Sequence, residues 1–194
     1  MGYQRAGFDV VGVDIHPQPH YPGTFVLADA LTHPLDGFDA IHASPPCQAY
    51  TRKAATWGRA RTTDRAHPDL LGPTRARLEL QGTPYVIENV PGAPIRAQLL
   101  LCGTGFGLPL IKHRLFEASW ALPMAPASCD HRAVYNPWSG KGRSAAQLRA
   151  AQGTPWIPMS GGASRLAGVT GDLFNAIPPA YTEWIGAAWI LELR

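Results

Sequence analysis

The stretch Phe38-Asp39-Ala40-Ile41-His42-Ala43-Ser44-Pro45-Pro46-Cys47-Gln48 is a short apolar run that breaks at a double proline, with a cysteine directly behind it. Proline has no N–H and a fixed φ, so a strand ladder stops at Pro45-Pro46. The run therefore reads as a buried strand that delivers Cys47 to a turn. Its neighbours fit the same pattern. Val10-Val11-Gly12-Val13-Asp14-Ile15 and Thr24-Phe25-Val26-Leu27-Ala28-Asp29 read as buried strands, each ending at an acid. Pro84-Tyr85-Val86-Ile87-Glu88-Asn89 and Arg114-Leu115-Phe116-Glu117-Ala118 read as two more. Between them, Leu70, Leu71, Leu78 and Leu80 give residues 70–81 a helical pattern that stops at Gly82. Residues 177–193 read as a closing helix, with Pro178 and Pro179 in a first turn that has no use for their missing N–H. Strands alternating with helices predict an α/β fold with a mostly parallel sheet.

Bulk properties narrow the class. With 45% apolar and 16% charged residues, the chain is globular and not disordered. Its 194 residues suffice for one domain with a small appendage. No apolar run is long enough to cross a bilayer, and the first residues lack the apolar core of a signal peptide. These features place the protein in the cytoplasm, as a monomer without a membrane partner. The three cysteines, Cys47, Cys102 and Cys129, are too few and too scattered for a disulfide framework. Cys129-Asp130-His131 supplies two ligands, which do not close a zinc site, so no metal is expected.

The net charge of +3 is modest, but the basic residues are grouped. Arg52, Lys53, Arg59, Arg61 and Arg65 share one stretch with a single acid, Asp64. Arg132, Lys141, Arg143, Arg149 and Arg165 share a second with Asp130. Both suit a phosphate backbone, and both are equally compatible with a solvated surface. Residues 120–170 are rich in Pro, Gly, Ser and Arg and lack a clear apolar period, which marks a loop-rich insertion.

Three features carry chemistry. In open α/β sheets ligands bind at the carboxyl ends of the strands, where this chain collects Asp14, Asp29, the Pro45-Pro46-Cys47 turn and Glu88-Asn89. Two strand-end acids suit a nucleoside, one taking ribose hydroxyls and one an exocyclic amine; each would serve equally as a local cap. Cys47, next to prolines and arginines, is placed as a nucleophile, although Pro-Cys also occurs in plain loops. Glu88 ends a buried strand, where a carboxylate needs a partner or a proton. Such a group can bind or protonate a ring nitrogen, or it can cap a loop or pair with an arginine.

These residues, in this order, resemble the DNA cytosine-5 methyltransferase family. Ser44-Pro45-Pro46-Cys47-Gln48-Ala49-Tyr50-Thr51 resembles its Pro-Cys-Gln catalytic loop, and Glu88-Asn89-Val90 its Glu-Asn-Val motif. Lys112-His113-Arg114-Leu115-Phe116 resembles the Gln-x-Arg-x-Arg strand, with Arg114 at the last arginine. Asn175-Ala176-Ile177 resembles the C-terminal Gly-Asn-(Ser/Ala)-(Val/Ile) motif, and residues 2–8 the helix after the cofactor loop. The compact enzymes of actinobacteria and their phages are the most similar in type. The resemblance implies a Rossmann-like S-adenosylmethionine-dependent methyltransferase sheet and methylation of double-stranded DNA at cytosine C5, in restriction–modification or phage biology.

By the same resemblance, Cys47, Glu88 and Arg114 are catalytic. Asp14, Ile15, Asp29, Ala30, Pro46 and Asn175 would hold S-adenosyl-L-methionine. Gln48, Arg52, Lys53, Arg59, Arg61, Arg132, Lys141 and Arg143 would contact DNA, with Asn136, Gln147, Arg149 and Gln152 as further donors. Residues 1–119 would form the catalytic core, 120–170 a small target-recognition region, and 171–194 a return to the core. Two departures stand out. The family's first strand and Phe-x-Gly-x-Gly loop are missing ahead of Met1, and Lys112 stands at the first arginine of its motif. A truncated, catalytically inactive DNA-binding homologue is the alternative. An amino-methyltransferase shares Ser44-Pro45-Pro46 but needs an aromatic residue where Cys47 stands.

Overall fold

The computed structural model describes residues 1–50, 68–132, 145–158, 173 and 175–193. It is a mixed α/β protein. Its strands are β1 (Val11–Asp14), β2 (Thr24–Leu27), β3 (Ile41–Ala43), β4 (Tyr85–Asn89), β5 (Leu99–Leu101) and β6 (Arg114–Ala118). Its α-helices, among the described residues, are α1 (Gly2–Arg5), α2 (Leu71–Gln81), α3 (Ala145–Gln152) and α4 (Pro179–Glu192). None of them is long and apolar enough to cross a membrane. The chain divides into two compact units. One comprises Met1–His33, Cys102–Lys112 and Ala125–Arg194; the other comprises Pro34–Leu101 and His113–Met124.

The unit built around residues 34–101 holds a four-stranded sheet in the order β3-β4-β6-β5. Every residue of β4 is buried, as expected of a central strand covered on both faces and read as one apolar run. β3 pairs with β4 in parallel, Ile41 opposite Tyr85 and Ala43 opposite Ile87. β6 lies antiparallel to β4, Glu88 opposite Phe116 and Asn89 opposite Leu115. β5 then pairs antiparallel with β6. The sheet is thus mixed, where the alternation of elements predicts a mostly parallel one. Strand direction is set by connection geometry, and the segment leading back into β6 carries no pattern that announces it. β5 has only three residues, alternating buried, exposed, buried, too short for a periodic signal.

Helix α2 covers this sheet. Leu71 and Leu78 are buried, seven residues apart and so on one helix face, and pack with Tyr85 and Ile87 against Ile41 and Ala43. Leu80 is 90% exposed, because nine residues past Leu71 the helix has turned its opposite face; it does not belong to the apolar stripe. Gly82 ends the helix in the left-handed conformation at φ 73°, as glycine caps do.

A buried ion pair fastens α2 to β6. Arg75 Nε donates to Glu117 Oε1 at 2.7 Å and its Nη2 to Oε2 at 2.8 Å, while the Arg96 N–H adds a bond to Oε2 at 2.8 Å. The exposures of the two side chains are 12% and 3%. Burial by itself pushes the Glu117 carboxyl up; the Arg75 hydrogen bonds, the Arg96 N–H and both charges outweigh it and hold the group below its ordinary 4.5. Arg75→Met leaves a buried carboxylate without its cation and is expected to cost about 3–5 kcal/mol in urea unfolding. Because the folded value is depressed, the pair's contribution is present above about 4.5 and is lost as the pH falls through the folded value. Glu117→Gln should flatten that part of the acid limb.

In the other unit, β1 and β2 pair in parallel, Val11 opposite Thr24 and Asp14 opposite Leu27. Tyr21, in their connection, lies on β1 where Gly12 has no side chain: a Cβ there would meet the ring at 2.5 Å. α1 packs on α4 just as closely, since a Cβ at Gly2 would meet Thr182 Oγ1 at 2.0 Å. Tyr3, Phe8 and Trp189 complete that contact with centroids 5.8–5.9 Å apart. Pro178 is the N-cap of α4 and Pro179 its first residue, the position its fixed φ favours. α3 falls inside the loop-rich stretch; its buried Ala145, Leu148 and Ala151 pack with Leu110 and Leu173. Two alanines and one leucine make too weak an apolar pattern to stand out in the sequence.

Candidate active site at the ends of β3 and β4

β3 and β4 run in parallel and stop together, so the Ser44-Pro45-Pro46-Cys47 turn passes over the end of β4. Buried Asn89, the last residue of β4, ties the turn down: its Nδ2 donates to the Pro45 carbonyl at 3.0 Å, and its Oδ1 accepts from the Val90 N–H at 2.9 Å. A 3₁₀ turn, Gln48–Tyr50, follows the cysteine, with the Tyr50 N–H bonded to the Cys47 carbonyl at 3.0 Å. The Cys47 thiol is held half-buried, Pro45 is buried, and Pro46 and Gln48 are exposed. A prolyl backbone clamped by Asn89 fixes the direction of the side chain that follows.

Glu88 stands one residue before Asn89, and Arg114 begins the antiparallel neighbour β6. Arg114 Nε donates to Glu88 Oε1 at 2.8 Å, with side-chain exposures of 7% and 8%. Arg114 Nη1 also donates to the His113 carbonyl at 2.8 Å. The buried carboxylate therefore has the arginine partner that the sequence left open as one of its readings. A carboxylate and a guanidinium held in this way form a buried polar pair of fixed orientation.

The other end of the turn is anchored by Tyr50, whose hydroxyl donates to Asp69 Oδ1. The same oxygen accepts the Leu71 N–H at 3.2 Å, so Asp69 binds the first N–H of α2 while holding Tyr50. Desolvation, then the Asp69 hydrogen bond and charge, push the Tyr50 hydroxyl up to about 12. The residues that flank the basic stretch 51–67 are thus joined to each other. Arg52, Lys53, Arg59 and Arg61 lie in that stretch, outside the described residues.

His42, in β3 beneath the turn, was given no role by its sequence context. Its Nε2 lies 3.0 Å from Ser44 Oγ, and burial pushes its pKa from 6.5 down to about 4. A lowered folded value means that the unfolded chain takes up the proton first. Stability should fall as the pH drops from about 6.5 to 4 and stop falling below that. At about 1.4 kcal/mol per unit the loss is at most about 3.5 kcal/mol, less for a ring only half-buried. His42→Gln should remove the slope in that window, which lies above the Glu117 window, as read by denaturant midpoints at each pH.

In the unit of β1 and β2, the structure brings Asp14 and Asp29 to one end of the parallel pair. Asp14 closes β1 and its Oδ1 accepts the His16 N–H at 2.8 Å. Asp29 lies two residues beyond β2 and its Oδ1 accepts the Leu31 N–H at 2.8 Å. Each acid therefore does cap its local turn, using one carboxylate oxygen. Ile15 is 60% exposed, and Ala30 and Asn175 are exposed. Acceptor oxygens beside an exposed apolar side chain fit the hydroxyls and ring face of a nucleoside.

Lys112 of the same unit is 1% exposed. Its Nζ donates to Gln152 Oε1 and to the Ala176 carbonyl, and the Tyr181 hydroxyl donates to its carbonyl at 2.6 Å. The lysine at the departure from the arginine motif is thus a buried tie between α3 and the Asn175-Ala176-Ile177 segment. Gln152 is 1% exposed and its Nε2 is bonded to the Leu173 carbonyl at 2.9 Å, so it is not a donor to DNA. A helical face turned inward, invisible in a patternless stretch, overrules that reading. Arg132 is exposed and forked onto Asp130, Nη2 to Oδ2 at 2.8 Å. Lys141, Arg143 and Asn136 lie outside the described residues. No protein-family model matches the chain, and no curated protein matches it.

Proposed function

We propose that the chain is a DNA cytosine-5 methyltransferase that acts on double-stranded DNA with S-adenosyl-L-methionine as methyl donor. The observation that carries the reading is the buried Glu88–Arg114 pair on β4 and β6, one residue from the Asn89 that clamps the Pro45-Pro46-Cys47 turn. A thiol, a carboxylate and a guanidinium in this arrangement match the needs of a pyrimidine made reactive by addition. C6 of a stacked cytosine is out of reach, so the target base leaves the duplex. The Cys47 thiolate adds to C6, and the electron pair of the C5–C6 double bond is driven into the ring. Glu88 holds N3 and the exocyclic amine and stabilises the protonated ring; Arg114 holds O2. C5 becomes the nucleophilic carbon of an enamine. Once C5 has bonded an electrophile, loss of its original proton and departure of Cys47 as thiolate restore the C5–C6 double bond and the aromatic ring.

S-adenosyl-L-methionine, when bound, supplies an electrophilic methyl group for C5. Asp14 and Asp29 would take its ribose and adenine with the neighbouring Ile15 and Ala30, and Asn175 its methionine end. Gln48, Arg132 and the basic residues 52–65 and 141–143 are assigned to DNA, mostly through phosphates. Each of the two parallel pairs, β1–β2 and β3–β4, is of the kind that a Rossmann-like methyltransferase sheet contains, and residues 120–170 are assigned to target recognition.

The test needs no methyl donor. Once Cys47 has added to C6, a solvent deuteron can replace the C5 hydrogen before elimination. Cytosine-containing duplex DNA incubated with the chain in D₂O should lose its C5–H signal by NMR. An equal loss with Cys47→Ala would overturn the reading, and so would a methyl group placed on the exocyclic nitrogen in a methylation assay.

A further inference from the structure

Cys102 opens the 3₁₀ turn Gly103–Phe106, and the segment containing Cys129 and His131 lies against that turn within the same unit. The approach is close because residue 105 is glycine: a Cβ there would meet the Ala127 carbonyl oxygen at 2.9 Å. Thr104 joins the two segments, its Oγ1 accepting the Asp130 N–H at 3.2 Å and donating to Cys102 Sγ at 3.3 Å. The result is a cluster in which the sulfurs of Cys102 and Cys129 and a ring nitrogen of His131 all lie within 4.8 Å of one another.

We propose that Cys102, Cys129 and His131 bind a zinc ion that pins residues 127–131 to this turn. Two soft thiolates and an imidazole form a donor set that selects zinc over hard cations. The geometry agrees. Tetrahedral zinc with Zn–S near 2.3 Å and Zn–N near 2.0 Å sets sulfur and nitrogen about 3.5 Å apart. His131 Nε2 stands 3.5 Å from Cys102 Sγ. Cys102 is buried while Cys129 is exposed, so the site combines a fixed anchor with an open route for the ion. The Thr104 hydroxyl supplies the outer hydrogen bond to a ligand sulfur that metal sites commonly carry. A water completes the tetrahedron as the fourth ligand. The site is separate from Cys47 in both residues and chemistry, and it does not depend on the methyltransferase reading.

Metal analysis of the full chain, purified without chelator and reconstituted with zinc alone, tests the proposal. One zinc per chain is expected, displaced by cobalt(II) to give tetrahedral d–d bands and a charge-transfer band of two thiolates. Cys102→Ser, Cys129→Ser and His131→Ala should each weaken zinc at least tenfold, while Cys47→Ser should not. Absence of retained zinc together with an octahedral cobalt spectrum overturns the site, as does unchanged affinity in both Cys102→Ser and Cys129→Ser. Should a variant fail to fold, the two-thiolate cobalt intensity of the unsubstituted chain still decides.

Discussion

Cys47→Ala is expected to abolish deuterium exchange at cytosine C5, by roughly a thousandfold or more, because removing the group proposed to form the covalent bond removes the pathway itself. On the proposed reading DNA affinity should change little, since binding through phosphates makes no use of the thiol. Cys47→Ser should be nearly as inactive: a hydroxyl is far weaker than a thiolate as a nucleophile near neutral pH. The folded chain should be almost unaffected by either change, because Cys47 is half-buried and the turn is held by Asn89 through the Pro45 backbone. Intact stability with lost exchange separates a chemical role from a structural one. Exchange that survives in both variants would place the chemistry elsewhere.

Glu88→Ala carries the second large effect, and here stability and activity should fall together. The change leaves the Arg114 guanidinium, 7% exposed, without the carboxylate that compensates its charge. Breaking a buried pair from one side costs about 3–5 kcal/mol. Replacing both partners is different: Glu88→Met combined with Arg114→Met removes both desolvation costs and fills the space with apolar side chains. The double variant should recover most of the unfolding free energy in urea while showing no exchange at C5. A double variant with wild-type exchange would reduce the pair to a structural device. One that stays as unstable as Glu88→Ala would show that the loss comes from packing and not from the unpaired charge.

Much of the fold was legible in the chain. The runs around Val11, Thr24, Ile41, Tyr85 and Arg114 became strands, and residues 71–81 and 179–192 became helices. Each of these carries its own punctuation: an apolar run, a glycine in the left-handed region at Gly82, or a proline at a first turn. The elements that escaped are β5 and α3, one of three residues and the other with small alanines on its buried face. Their formation is decided by the surfaces they meet, Phe116 and Leu115 for β5 and Leu110 and Leu173 for α3. Leu80 shows the converse, an apolar residue in a helical run whose position round the axis leaves it in solvent.

The same division runs through the candidate site. Cys47 behind two prolines, Glu88 at the end of an apolar strand and acids at Asp14 and Asp29 are local facts, so the sequence by itself determined which groups stand at strand ends. Strand pairing decided which of them meet. The parallel register of β3 and β4 and the antiparallel return of β6 set Arg114 on Glu88, and Asn89 became the clamp of the Cys47 turn. Folding brought Cys102 to Cys129 and His131, where the local Cys-x-His alone offered two ligands. A covalent neighbour is written in the chain, but an ion pair or a ligand cluster depends on burial and on the register of segments far apart in it, and those are settled only when the core packs.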